Sequence, residues 1–206
     1  MPLVRKPAHL EGHPKPGPAE VLAGLISTDP EERWAAARAA ATHPDTAAAL
    51  AAALPQESDA RIREAMFTSL VRIGTRDSIV MVLPLLRSND SALRTGALDA
   101  LRSSPVATRE LLSELLHDPE VDVRILSCEL ARNLPSEAAS RSLCAVLERE
   151  PEVNVCAAAI EVLAEVGDQS ALPALAQCAQ RFAHVPFLVF AIRAATDRIT
   201  TAGTRG

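Results

Sequence analysis

Residues 151–180 read PEVNVCAAAIEVLAEVGDQSALPALAQCAQ, and this stretch predicts two short helices joined by a turn. Small and aliphatic residues return every three or four positions in each half, which is the spacing of one buried helix face. The Gly167-Asp168 pair between the two halves is typical of a turn. A hairpin of this size cannot bury its apolar face alone, so the stretch predicts neighbours built in the same way.

The same arrangement recurs along the chain, marked by a dipeptide near the start of each unit. Its five occurrences are Glu32-Arg33, Ile62-Arg63, Leu93-Arg94, Val123-Arg124 and Val155-Cys156. The second residues of these dipeptides are spaced by 30, 31, 30 and 32 positions. A fixed period of this size predicts an all-α solenoid (an α-α superhelix), in which each unit packs only on its neighbours.

The period divides the chain into about five helical hairpins with flanking capping helices. First helices are predicted near 30–42, 60–73, 90–102, 120–132 and 152–165. Second helices are predicted near 45–54, 77–87, 106–117, 137–148 and 169–180. A helix near 19–26, packing Val21, Leu22, Leu25 and Ile26, and a helix near 185–199 close the two ends. The array thus covers 18–199, whereas the Pro-rich 1–17 and the polar 200–206 are predicted to be disordered tails.

Residues that begin and end helices support these boundaries. Four aspartates are predicted N-caps, two of them followed by proline: Asp29, Asp59, Asp90 and Asp118. Asp29 with Glu32 also matches a capping box. Gly74 and Gly167 stand where first helices should end, which predicts left-handed C-caps.

A column of mostly small residues lies three positions after each recurring dipeptide. Its members are Ala36, Met66, Ala97, Ser127 and Ala159. Helical spacing places this column on the buried side of the first helix, where small side chains let neighbouring helices approach closely.

Composition and charge exclude several classes of partner. Hydrophobic residues make up 48% of the chain, yet aromatic residues only 2%. The net charge of −5 and the scarcity of rings argue against nucleic acid, which needs a basic face and stacking side chains. No apolar run approaches the roughly 20 residues of a membrane span. The four cysteines form no CxxC pair and the N-terminal residues lack a signal peptide, so we expect reduced thiols in the bacterial cytoplasm.

With these columns aligned, the chain resembles the HEAT-like repeats of the short kind first described in phycobilisome lyases. Their pattern is an Asp-Pro, a Val-Arg after a two-residue gap, an Ala-rich helix, Gly-Asp and Ala-Leu-Pro-x-Leu. Residues 151–180 match it best, and GTRDSIVMVLPLLRSND, residues 74–90, is a second match. The resemblance covers about 18–199. Proteins with such repeats include scaffolds, adaptors, chaperone-like factors, bilin lyases, a metal-dependent hydroxylase and a DNA glycosylase group, so the fold does not decide the function.

The resemblance implies a structural role for the arginine column, which comprises Arg33, Arg63, Arg94 and Arg124. In the family such arginines link successive units through nearby carboxylates and turn carbonyls, for which the planar guanidinium is well suited. Cys156 interrupts the column at the fifth unit.

The enzymatic members of the family have features that this chain lacks. The hydroxylases carry His-Glu dipeptides on their repeats, and none occurs here. His9 and His13 have a metal-ligand spacing but lie in the Pro-rich tail, so no metal site is predicted. Trp34 is the only tryptophan, which disfavours the base-extruding glycosylases. Buried cysteines usually act as small hydrophobes. We therefore predict no catalytic residue and no cofactor.

In the family the second helices line the concave surface. Helical spacing assigns seven polar residues to it: Arg87, Arg109, Ser113, Arg141, Glu148, Gln177 and Gln180. Towards the N-terminus the same columns give Ala48, Ala52, Val80 and Pro84. Such a surface would suit a protein or peptide with an apolar part and an acidic part.

The predicted function is therefore a non-catalytic scaffold or adaptor, as a monomer or weak dimer, binding another protein and neither nucleic acid nor membrane. The alternative is a bilin-lyase-like enzyme or a chaperone, with Arg109 and Arg141 positioning the propionates of a chromophore. The convex side could offer a second surface, comprising Trp34, Glu64, Thr95, Ile125 and Ala157.

Overall fold

A computed structural model describes residues 16–203, and all regular structure in this part of the chain is helical. A first helix, α1 (Pro18–Leu25), precedes five helical pairs. The pairs are α2 (Pro30–Ala39) with α3 (Ala47–Ala53), α4 (Ala60–Ile73) with α5 (Arg76–Val80), α6 (Ser91–Arg102) with α7 (Pro105–Leu115), α8 (Val121–Leu130) with α9 (Ser136–Arg149), and α10 (Val153–Val166) with α11 (Leu172–Arg181). A last helix, α12 (Pro186–Gly203), packs on α10 and α11. The predicted all-α solenoid is confirmed.

Short 3₁₀ helices extend or link several of these elements. They are Ala40–Thr42, Pro44–Thr46, Leu54–Gln56, Leu83–Arg87, Ala131–Asn133 and Gln169–Ala171. The second helix of the second unit is therefore not continuous over 77–87 as predicted. Pro84 lies near the start of the 3₁₀ segment, and its ring and missing N–H are incompatible with an uninterrupted α-helix.

The ends of the array also differ from the prediction. α12 continues to Gly203, and the hydroxyls of Thr200 and Thr201 donate to carbonyls four residues earlier. At the other end, the Gly17 N–H donates to the Glu20 carboxylate at 3.0 Å and so caps α1. Residues 1–15 and 204–206, the remainder of the two predicted tails, lie outside the described residues.

The core runs between the two layers of helices along the whole array. The column of mostly small residues is buried throughout, and Met66, Ala97 and Ala159 have no exposed surface. A second column, seven positions after each recurring dipeptide, is equally buried. Its members all have zero exposure: Ala40, Leu70, Leu101, Ala131 and Leu163. The predicted buried side of the first helices is thus confirmed.

Three of the four predicted N-caps are confirmed. The carboxylates of Asp29, Asp59 and Asp90 each accept a hydrogen bond from the N–H two residues later, at 2.8–2.9 Å. The capping box at Asp29 does not form, because the Glu32 carboxylate instead accepts a hydrogen bond from the Ser27 hydroxyl at 2.6 Å.

Asp118 is not an N-cap, and that prediction is wrong. α8 starts at Val121, and its N-cap residue is Glu120, without a side-chain cap. The Asp118 carboxylate accepts a hydrogen bond from the Glu120 N–H at 3.0 Å and forms an ion pair with Arg87. The aspartate therefore belongs to the turn before the helix.

The two predicted C-cap glycines act differently. Gly74 has φ +66° and is the left-handed cap that the sequence predicts. Gly167 has φ −69° and ψ 158°, so its backbone is extended and the prediction is wrong. Glycine is needed there for space, since a Cβ would lie 2.4 Å from the Leu163 carbonyl oxygen.

Each first helix is joined to the turn before it by the arginine column. The guanidinium donates to the carbonyl six residues earlier, in the pairs Arg33–Ser27, Arg63–Glu57, Arg94–Ser88 and Arg124–Asp118. In the fifth unit the Cys156 thiol approaches the Glu150 carbonyl in the same way, at 3.5 Å. One backbone contact therefore repeats in every unit.

The same arginines also reach the following unit. Arg33 pairs with Glu57 at 2.7 Å, Arg63 with Asp90 at 2.8 Å and Arg124 with Glu150 at 2.9 Å. The hydrogen bond from Arg33 lowers the pKa of the Glu57 carboxyl, which burial alone would raise. Arg94 has no ion pair in the described part of the chain. Asp118, in the turn that precedes the next unit, pairs with Arg87 instead.

Where Cys156 interrupts the column, another arginine compensates. Arg181, the last residue of α11, reaches back to the previous turn and donates to the carbonyls of Leu147 at 2.6 Å and Glu150 at 2.9 Å. This link runs from the fifth unit back to the turn after the fourth, whereas the ion pairs of the arginine column run forward to the following unit.

A substitution at Ala97 tests whether the buried face of the first helices is assigned correctly. Replacing Ala97 by Leu should lower the free energy of unfolding by about 1–3 kcal/mol, because the site has no room for three more carbons. Ala92→Leu, at an exposed position of the same helix, should change it by less than about 0.5 kcal/mol. Urea denaturation measures both values, and equal unfolding midpoints would show that the buried face is misplaced.

Arg124 tests the link between units. Arg124→Ala should cost about 2 kcal/mol, because it leaves the nearly buried Glu150 carboxylate without its ion-pair partner. The matched control is Arg94→Ala, which removes the same bond to a turn carbonyl but no ion pair. Urea denaturation should show a clearly smaller loss for the control. Equal losses would mean that the carboxylate contributes nothing to the link.

Candidate protein-binding surfaces

The second-helix face is the solvent-facing surface of α3, α5 with its 3₁₀ extension, α7, α9 and α11. All seven polar residues that the sequence assigns to this face are exposed: Arg87, Arg109, Ser113, Arg141, Glu148, Gln177 and Gln180. They are distributed over four of the five units and do not form one cluster. The face can therefore contact an elongated partner, but it does not concentrate them around one small ligand.

The three predicted arginines of this face differ in whether their guanidinium groups already form an ion pair within the protein. Arg87 pairs with Asp118, whose side chain is only 7% exposed. Arg141 pairs with Glu137 at 2.5 Å in an exposed contact within α9. Arg109 forms no ion pair in the described part of the chain and is exposed. Of the three predicted arginines, Arg109 is therefore the most available to an outside carboxylate.

A polar cavity of about 580 Å³ lies between the second and third units of this face. Its lining includes Arg87, Glu110, Ser113, Glu114 and His117. The Nδ1–H of His117 donates to the Ser113 carbonyl oxygen at 2.6 Å, and the same nitrogen lies 3.3 Å from the Arg149 guanidinium. Glu110 and Glu114 lie beside Arg87 here, so this part of the face has mixed charge.

An apolar pocket of about 510 Å³ lies at the N-terminal end of the same face, bordered by the polar side chains of Arg33, Gln56 and Glu57. Its apolar wall consists of Leu22 and Ile26 on one side and Ala49, Ala52 and Ala53 on the other. Leu22 is 42% exposed and Ile26 is 82% exposed, so the prediction that both pack inside is wrong. α1 ends at Leu25, and the chain turns before Ile26 can reach the core.

The remaining N-terminal columns agree with a surface of small side chains. Ala48, Ala52 and Pro84 are exposed, and Val80 is half-buried. The second-helix face thus changes from apolar in the first unit to mixed charge in the third.

The first-helix face, on the other side of the array, is filled differently at each junction. Between α2 and α4, the half-buried Trp34 ring lies under the guanidinium groups of Arg38 at 4.6 Å and Arg61 at 4.9 Å. Across α6, α8 and α10, a chain of ion pairs comprises Asp99, Arg102, Glu129, Arg132 and Glu165. Ile125 and Ala157 are half-buried within this second region.

The junction between α4 and α6 is open. It forms a groove of about 700 Å³ that contains two of the predicted convex residues, Glu64 and Thr95. Its floor includes the Phe67 ring, Val71 and Gly96. Sequence reasoning missed this groove, although the columns that close the neighbouring junctions hold shorter side chains here.

The four cysteines do not form an accessible nucleophile. Burial raises the pKa of Cys128 to about 12 and that of the half-buried Cys144 to about 11, so both thiols stay protonated near neutral pH. A hydrogen bond from Cys156, with a smaller effect of Arg181, lowers the pKa of Cys178. Cys156 and Cys178 have no exposed surface, so no substrate can reach them in this conformation.

Two further observations concern the described residues only. Nowhere within 16–203 do three or more His, Cys, Asp or Glu side chains come together as a metal site would require. None of the helices in the same range is long and apolar enough to cross a membrane. His9 and His13 lie outside the described residues.

Three solved structures match this chain over most of its length at low identity. An engineered protein is 20% identical, with 88% of this chain and 96% of that chain covered and a TM-score of 0.42. A designed armadillo repeat protein is 14% identical, with coverages of 87% and 98% and a TM-score of 0.39. The complex of CpcE and CpcF of phycocyanin lyase from Nostoc sp. is 18% identical, with coverages of 97% and 100% and a TM-score of 0.40. Scores this low carry no information about function.

Among curated proteins, none matches the sequence significantly. The HEAT repeat family, in contrast, matches residues 18–102 and 108–183, which together make up most of the chain. These two segments contain the arginine column and the five helical pairs except for the first residues of α7. The protein therefore belongs to the HEAT repeat family.

Proposed function

We propose that the protein is a non-catalytic interaction scaffold or adaptor that binds a segment of another protein along its second-helix face. The observation that carries this proposal is the apolar pocket beside Ile26. A β-branched side chain that is 82% exposed next to a wall of alanines loses favourable burial unless a partner covers it.

The second-helix face also offers a polar contact at a suitable distance from this pocket. Arg109 lies in the third unit, two units away from Ala52. Stacked helices lie about 8–10 Å apart, so the separation is about 20 Å. An extended chain covers about 3.3 Å per residue, hence an apolar anchor and an acidic residue about six positions apart would reach both sites.

The arginine links support this role because they hold neighbouring units in one arrangement. A partner that binds a preformed surface does not have to order it first, so less of the contact energy is lost as conformational entropy. The face would thus bind an extended segment without rearranging. Cytoplasmic location and a monomeric or weakly dimeric state stay predictions.

Affinity capture from a native lysate, followed by mass spectrometry, tests the proposal. Wild-type protein should retain one or more specific proteins. Ile26→Asp should reduce their recovery at least about tenfold, because it places a charge in the apolar pocket. Arg109→Glu should reduce recovery several-fold by opposing an acidic residue of the partner.

Phe190→Asp is the matched control, since Phe190 is 73% exposed and lies on α12, which is not part of the second-helix face. It should retain the partner at the wild-type level. Equal recovery with Ile26→Asp and wild type would contradict the proposed surface. Retention of a coloured linear tetrapyrrole with no protein would instead favour the chromophore-handling alternative, with Arg109 and Arg141 as its contacts.

A further inference from the structure

The groove between α4 and α6, the α4/α6 groove, lies on the first-helix face, which the proposed function does not use. It is lined by one side of each helix from the first turn to the last: Ala60, Arg63, Glu64, Phe67, Thr68, Val71 and Arg72 of α4, and Ser91, Ala92, Thr95, Gly96, Asp99 and Ala100 of α6 with the following Ser103. The groove therefore runs parallel to both helices for nearly their full length, roughly 18 Å.

Comparison with the neighbouring junction shows why the groove is open. Trp34, Arg38 and Arg61 fill the space between α2 and α4. One unit further along, the same three positions hold Glu64, Thr68 and Ala92. None of these side chains spans the gap, so the space that Trp34 and its two arginines occupy is vacant between α4 and α6.

The following junctions are also closed by side chains that the α4/α6 junction lacks. Arg102 connects α6 to α8, and Arg132, in the 3₁₀ helix that follows α8, reaches α10, in each case through an ion pair with a glutamate. The equivalent position in α4 is Val71, an apolar residue that cannot form such a pair. The groove is thus a local property of one junction and not a general feature of the repeat.

The floor of the groove is apolar and closely packed. Phe67 is 9% exposed and Ala100 is 3% exposed. The Phe67 ring lies against Gly96, where an added Cβ would be 2.2 Å from the ring carbon Cε2. Because the α6 wall consists mostly of Ser, Ala, Thr and Gly, another helix can approach it closely.

The rim of the groove carries charges of both signs. Asp99 is paired with Arg102 at 3.1 Å and Arg63 with Asp90 at 2.8 Å, so neither is available. Glu64 and Arg72 are exposed and form no ion pair in the described part of the chain. Eight residues separate them, which is about 12 Å along α4.

We propose that the α4/α6 groove binds an amphipathic helix of a partner protein, antiparallel to α4, through an apolar stripe flanked by one acidic and one basic residue. The acidic residue would face Arg72 and the basic residue Glu64, seven or eight positions later in the partner. In this orientation the acid lies near the N-terminus of the bound helix and the base near its C-terminus, as the helix dipole favours. A parallel helix would need the less favourable order of charges.

The test uses the full chain and a phage-displayed library of amphipathic helices whose charged positions are randomised. Selected helices are synthesised and their affinities measured by fluorescence anisotropy. We expect an apolar stripe with an acidic residue followed by a basic residue two turns later. Failure to enrich any helix above unrelated phage would overturn the proposal.

Two variants locate the binding site. In the closed variant, Glu64→Trp, Thr68→Arg and Ala92→Arg copy the side chains that fill the α2/α4 junction; binding should weaken at least about tenfold. In the swapped variant, Glu64→Lys with Arg72→Glu, the protein should prefer helices with the reverse order of charges. The swapped variant changes only exposed positions, so it keeps the test decisive if the closed variant does not fold.

Ile26→Asp is the matched control for the opposite face, and it should bind the selected helices as wild type does. Circular dichroism and the thermal midpoint verify that the variants are folded. Equal affinity of wild type and a folded closed variant would overturn the proposal. So would an unchanged charge preference in the swapped variant. Neither result affects the proposed second-helix surface.

Discussion

The structure depends on one repeated constraint, the hydrogen bond from the arginine column to the carbonyl of the preceding turn. A turn carbonyl withdrawn from water needs a donor, and the guanidinium provides one while a second N–H remains free for a carboxylate of the next unit. The link is retained where its residues change. Where Cys156 replaces the arginine of the column, Arg181 donates to the carbonyl of Glu150. Where Arg94 forms no ion pair in the described part of the chain, Arg87 pairs with Asp118. The backbone geometry of the turn is thus kept, whereas the side chains that satisfy it vary.

Because the core and the turns are similar in every unit, differences between units appear mainly on the surface. Trp34 and two arginines close one junction, and ion pairs from Asp99 to Glu165 close others. Between them, α4 and α6 leave a groove, and on the opposite face the end of α1 leaves an apolar pocket. These two openings lie on different faces of one array. If both proposals hold, two partner segments can bind at once without competition between them.

Much of the fold is readable from the sequence because its signals are local. A period near 31 residues, aspartates before helices and a buried column of small residues each act within one hairpin. Local signals fail where a neighbour decides the outcome. Gly74 and Gly167 look alike in sequence, but only the first has a left-handed backbone, whereas the second makes room for the Leu163 carbonyl. The groove was missed for a similar reason, since it becomes apparent only when Glu64, Thr68 and Ala92 are compared with the residues one unit earlier.

Both proposed surfaces are preformed only if the units of the array are held in one arrangement. Native-state hydrogen exchange tests this claim most directly. If the arginine links couple the units across the open junction, the core amides of α4, α6, α8 and α10 should exchange through one concerted opening with a common free energy. Separate openings, with α4 and its N-terminal neighbours exchanging at a lower free energy than α6 to α10, would contradict it. The open junction would then be a hinge, and the groove would not be a fixed binding site.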